Sequence, residues 1–128
     1  MDDYNYILLG HDAIDKQHRI LLGLLAACKK TLESGDPTTI RVVIYDLIKY
    51  SLEHFRYEEE SMIHLKYNKE LYLEHIRQHA LFKTKMIEAT KNIDDRAVSI
   101  ELISYLQAWI LEHIKVTDQK FVDYYNSL

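Results

Sequence analysis

A chain of 128 residues fits one domain, residues 1–128, and can bury about 70% of the surface its unfolded form exposes. Hydrophobic residues make up 48% and charged residues 28%, with three glycines and one proline: too little turn material for a many-stranded sheet, enough for a few long helices. A net charge of −4, with Lys and Arg scattered among acids, argues against a phosphate-binding stripe and so against nucleic acid as a partner.

The first twelve residues read as an N-terminal arm, in which Tyr4, Tyr6, Ile7, Leu8 and Leu9 could pack against the rest. They carry no basic and apolar leader pattern. No apolar run approaches the roughly 20 residues that span a bilayer, and the lone Cys28 allows no internal disulfide. A cytoplasmic protein without a membrane partner is the expectation.

Helical periodicity begins near Ala13, with Asp12 as the expected N-cap, and runs to about Glu33 through Ile14, Leu21, Leu22, Leu25 and Leu32. Gly35, Asp36 and Pro37 break it. A second helix is predicted from about Thr38 to Lys66 (Val43, Leu47, Tyr50, Met62, Leu65), and Tyr67 and Asn68 end it. A third runs from about Lys69 to Lys91 (Leu71, Phe82, Met86, Ala89). After a break across Asn92 to Arg96, a fourth runs from about Val98 to Asn126 (Leu102, Leu106, Trp109, Ile110). Connections this short favour antiparallel neighbours, so the fold expected is an all-α, up-down-up-down four-helix bundle.

The chemistry lies on the apolar faces. His75 and His79 stand at i and i+4, about 40° apart around a helix and about 6 Å along it, so both rings can reach one metal. His54 and Glu58 repeat that spacing, His18 shares its face with Ile14, Leu22 and Leu25, and His113 precedes Asp118 on the last helix. A lone inward histidine is most often an ordinary core residue. Five imidazoles and two carboxylates on four apolar faces are costly to bury unless paired or metal-bound. His11 and His64 fall off this pattern and read as surface or boundary residues. Seven candidate ligands exceed the four of a structural zinc site and suggest two ions sharing carboxylates. Imidazole and carboxylate donors without thiolate suit iron better than manganese or zinc, and no HExxH motif is present.

The blocks IDKQH around His18, HFRYEE from His54, HIRQH from His75 and WILEHIKVTD ending at Asp118 resemble the signature blocks of the hemerythrin and bacteriohemerythrin family. The resemblance implies that His75, His79 and His113 hold one iron and His18 and His54 the other. Glu58 and Asp118, with a solvent-derived oxo or hydroxo group, would bridge them. It also implies one open iron position at which dioxygen binds reversibly, for carriage, storage or sensing. A di-iron enzyme, such as a peroxidase, nitric oxide reductase or ferroxidase, is the alternative, and an interaction bundle with a merely structural metal is a third. Leu21, Phe55, Trp109, Ile110 and Ile114 are candidates for the oxygen-pocket wall, although each would serve equally as ordinary core. Lys115, two residues past His113, is expected to snorkel to solvent.

His113 and Asp118 are five residues apart, about 140° around a regular helix, which would keep one of them out of a shared site. A π-type insertion between them restores both. It also turns Asp118, Phe121 and Tyr125 inward in place of Thr117, Lys120 and Tyr124, and so buries no lysine.

Overall fold

Each of the four long helices begins on a side chain that answers its free N–H groups. In the computed structural model, which describes residues 8–128, α1 spans Asp12–Ser34, α2 Pro37–His64, α3 Lys69–Thr90 and α4 Arg96–Glu112. A π-helical segment, His113–Asp118, then passes directly into α5, Gln119–Ser127. Asp36 caps α2 through the Thr38 N–H, with Pro37 in the first turn where its missing N–H costs nothing. Asn68 caps α3 and Asp95 caps α4. The cap of α1 differs from expectation. It is His11, whose Nδ1 accepts the Ile14 N–H at 3.3 Å, and Asp12 lies inside the first turn. Gly35 ends α1 at φ 78, a left-handed conformation that glycine adopts without a Cβ penalty.

The four long segments form an all-α four-helix bundle. α1 packs on α2 and α4, and α2 on α3. Ring contacts from Phe82 and His79 to Trp109 and His113 close α3 against α4. Two apolar clusters fill it. The larger includes Leu22, Leu25, Leu47, Phe82, Met86 and Leu106, and the smaller comprises Ile14, Met62, Tyr67, Phe121 and Val122. Along the helices His18, His54, Glu58, His75, His79, His113 and Asp118 fall between the two clusters, so they form one layer across the bundle with apolar plugs above and below.

Two expected core residues lie outside. Leu71 is 40% exposed, because Tyr72, one residue on, fills the space against the smaller cluster. Tyr125 is 39% exposed, because Val122 continues the buried face from Phe121 and leaves Tyr125 against the His11 ring at 4.2 Å. His11 itself is 9% exposed, more buried than a surface histidine, since capping and stacking hold its ring inside. The arm is tied down at its described end by the Asp15 carboxylate, which accepts the Leu9 and Gly10 N–H groups at 2.8 and 3.1 Å. Leu8 is exposed; Tyr4, Tyr6 and Ile7 lie outside the described residues. Among the described residues no helix is long and apolar enough to cross a membrane.

Candidate metal centre

All seven expected ligands are buried, none more than 4% exposed, and they fall into two overlapping groups. His75, His79, His113, Glu58 and Asp118 each offer one donor atom within 4.8 Å of the others, and so do His18, His54, Glu58 and Asp118. The carboxylates belong to both groups, and their individual oxygens divide the same way. Glu58 Oε1 lies 3.5 Å from His75 Nε2 and 3.4 Å from His79 Nε2, while Oε2 lies 3.3 Å from His54 Nε2. Asp118 Oδ1 lies 3.0 and 3.1 Å from the Nε2 atoms of His75 and His113, while Oδ2 lies 2.9 Å from that of His18. Each carboxylate therefore turns one oxygen toward the His75, His79 and His113 group and the other toward the His18 and His54 group.

The π segment makes this possible. With His113–Asp118 wound as π-helix, both end residues are buried and face the same layer, 3.1 Å apart. Phe121 and Val122 then continue the buried face, while Lys115 and Lys120 stay exposed.

These spacings fit metal ions better than a hydrogen-bond network. Donors about 2.1 Å from one ion and at right angles stand about 3 Å apart, close to the separations seen. Among the described residues, seven buried side-chain atoms lack an aligned hydrogen-bond partner. Five of them, His54 Nε2, His75 Nε2, both Glu58 oxygens and Asp118 Oδ1, belong to the sets just described. Buried polar atoms are nearly always satisfied, so such a concentration marks a place built for a ligand.

The electrostatics agree. Burial and Asp118 would raise the Glu58 carboxyl, yet His54 and His75 hold it far below the usual carboxylate range. Asp118 is likewise raised by burial but held well down by His113, His18 and His54. Burial lowers His54 and His75, but the two carboxylates overcome it and push them up to about 10 and about 9. His113 goes down, because burial outweighs Asp118. Two ionised carboxylates in a dry interior demand positive charge, from bound cations or from protons on imidazoles.

The outer nitrogens are held as well. His54 Nδ1 meets Gln17 Oε1 at 2.6 Å, His79 Nδ1 meets Glu59 Oε2 at 2.8 Å, and His113 Nδ1 meets Gln78 Oε1 at 3.0 Å. Each acceptor takes the Nδ1–H and leaves Nε2 as the inward donor atom. Thr117 donates to the same Gln78 oxygen at 2.8 Å, tying the π segment to α3. Sequence reasoning missed these four residues. The available signal was adjacency, since Gln17, Glu59 and Gln78 each neighbour a ligand in sequence but reach across to a ligand on another helix. His64 is exposed and His11 caps α1, so neither joins the cluster. Of the expected pocket wall, Leu21, Phe55, Ile110 and Ile114 are buried and Trp109 partly so, all in the larger cluster. Phe55 stacks on His79 at 3.9 Å and Trp109 on His113 at 4.5 Å.

A four-helix bundle carrying a buried, carboxylate-shared cluster of five imidazoles is a metal-binding protein whose site fits two ions. The Hemerythrin HHE cation binding domain model matches residues 9–125, and the chain belongs to the hemerythrin family. It is 30% identical to a bacteriohemerythrin of Stenotrophomonas maltophilia over 123 residues, 95% of this chain and 77% of the relative. It is 28% identical to one from Pseudomonas aeruginosa over the same shares of each chain. A Clostridium acetobutylicum bacteriohemerythrin is 27% identical over 90% of this chain and 93% of its own length. No solved structure matches the chain.

Proposed function

We propose that this protein binds dioxygen reversibly at a di-iron centre and that it is not primarily an enzyme. The observation that carries this reading is that Glu58 and Asp118 belong both to a group with three imidazoles and to a group with two, each turning one oxygen toward either group. In it, His75, His79 and His113 would hold one iron and His18 and His54 the other, with Glu58 and Asp118 shared between them. Three imidazoles against two leaves the second iron short of one protein donor, and that is where a small ligand has room. A pair of ferrous ions would supply the electrons that dioxygen needs to bind.

The protein's part is to orient and to exclude water. Gln17, Glu59 and Gln78 fix imidazole planes from outside, and Leu21, Phe55, Trp109, Ile110 and Ile114 keep the pocket apolar. Two carboxylates with five neutral imidazoles neutralise the irons less than four carboxylates do. Strongly oxidised iron is therefore disfavoured, which suits reversible binding over oxidation chemistry.

Anaerobic titration with ferrous iron tests the reading. Two irons per chain, followed by an absorption band that appears with dioxygen and disappears when the gas is removed, is the expected result. One tightly held zinc with no optical response would overturn it, and rapid oxygen consumption without a persistent band would place the chain among di-iron enzymes.

A further inference from the structure

All seven cluster residues are shut off from solvent, so a small molecule that reaches them must cross a wall. A cleft borders that wall. It lies between α2 and α3, encloses about 310 Å³, and is lined by Phe55, Ile76, His79 and Ala80 among others. His79 and Phe55 are 4% and 5% exposed and form its floor, while Ala80, Arg56 and Lys83 are exposed and form its mouth. One water needs only about 10–15 Å³, so there is room for several small molecules.

Phe55 separates this cleft from the cluster. Its face stacks on His79 at 3.9 Å, interplanar angle 10°, and its ring lies 5.6 Å from Trp109 and 5.9 Å from His113. The same ring is thus floor to the cleft, and it also lies 6.1 Å from the ring of His54, which belongs to the group with two imidazoles, the one left short of a donor. The lining is mixed: Leu52, Phe55, Ile76 and Ala80 are apolar, while Arg56, Glu59, His79 and Lys83 are polar.

We propose that the α2–α3 cleft is the port through which dioxygen and molecules of its size reach the cluster, with Phe55 as its door. That dioxygen is the natural traveller rests on the function proposed above; the route does not. Ala80→Phe fills the mouth from an exposed position without touching the cluster, and Ala108→Phe, on the exposed side of α4, is the control.

Azide added to the diferric protein in a stopped-flow instrument reads the route. In Ala80→Phe both association and dissociation slow about tenfold, equivalent to about 1.4 kcal/mol on the barrier, with Kd unchanged. Ala108→Phe behaves as wild type. A second readout needs no iron. In the zinc-loaded protein under dioxygen pressure, paramagnetic relaxation is stronger at Phe55 protons than at the similarly buried Leu22 and Leu106, and Ala80→Phe removes the difference. Unchanged azide rates in Ala80→Phe, a change in only one of the two rates, or relaxation spread evenly over both sides overturns the port. Failure to form an iron centre, with the relaxation pattern intact, overturns the proposed function and leaves the port standing.

Discussion

Stripping metal from the cluster exposes how much of the fold depends on it. Seven buried atoms without partners, at about 1–3 kcal/mol each, would cost as much as the about 5–15 kcal/mol by which a whole domain is stable. The metal-free protein has one internal remedy. With His54 and His75 pushed up to about 10 and about 9, both are protonated at pH 7 and face Glu58 and Asp118 as ion pairs. Those pairs lack hydrogen-bond alignment, so the five atoms that face one another still lose about 1 kcal/mol each, about 5 kcal/mol together. A chain of 128 residues unfolds with an entropy near 0.27 kcal/mol/K, so chelation should lower Tm by about 20 °C, read by circular dichroism on anaerobic samples with and without ferrous iron. The pH response then carries a sign. These histidines have folded pKa values raised above the unfolded 6.5, so their contribution is complete below about pH 6.5 and is lost as pH rises through 9 to 10. The metal-free protein should therefore melt at a lower temperature at pH 10 than at pH 6. Iron binding runs the other way, weakening on acidification because protons compete for the same nitrogens. Melting points with and without metal that agree within about 4 °C, or a metal-free Tm that climbs toward pH 10, would refute the reasoning.

Gln78→Leu removes the acceptor of a buried His113 Nδ1–H and of Thr117, and should weaken metal binding about 10- to 100-fold in competition against a chromogenic chelator; a change under threefold would count against an orienting role. Cys28 is fully buried, and burial, then Asp46, pushes its thiol up to about 12, so at pH 8 a disulfide reagent should label it only as fast as the protein opens. Labelling within the mixing time would contradict that packing. Deleting Val116, an exposed residue of the π segment, should leave a regular α-helix with His113 and Asp118 at i and i+4 and two metals still bound per chain. Loss of one metal in that variant would mean that the π winding sets more than register.

What the sequence revealed and what it hid follow one physical division. The buried cluster was legible because burying an imidazole or a carboxylate on an apolar face is expensive, and seven such expenses on four helices point to a common cause. The π segment was legible for the same reason, since a regular helix would have turned Lys120 inward and Asp118 out. Residues whose place depends on a neighbouring helix were not. Leu71 and Tyr72 are both apolar enough to bury, and the packing of α3 against the smaller cluster, not the pattern, chooses Tyr72. Glu59 beside Glu58 reads as a solvated charge until α3 brings His79 within 2.8 Å. His11 reads as a surface residue until the last turn of α5 supplies Tyr125 to cover it. The same division bears on the centre itself. The donor atoms are set by residues that cost energy to bury, whereas the orientation of each imidazole is set by Gln17, Glu59 and Gln78, each cheap to expose and each supplied by a different helix from the ring it holds. A helix that shifted in the bundle would keep its ligands but lose the acceptors that aim them. Metal affinity should therefore report helix packing more sensitively than helix content does.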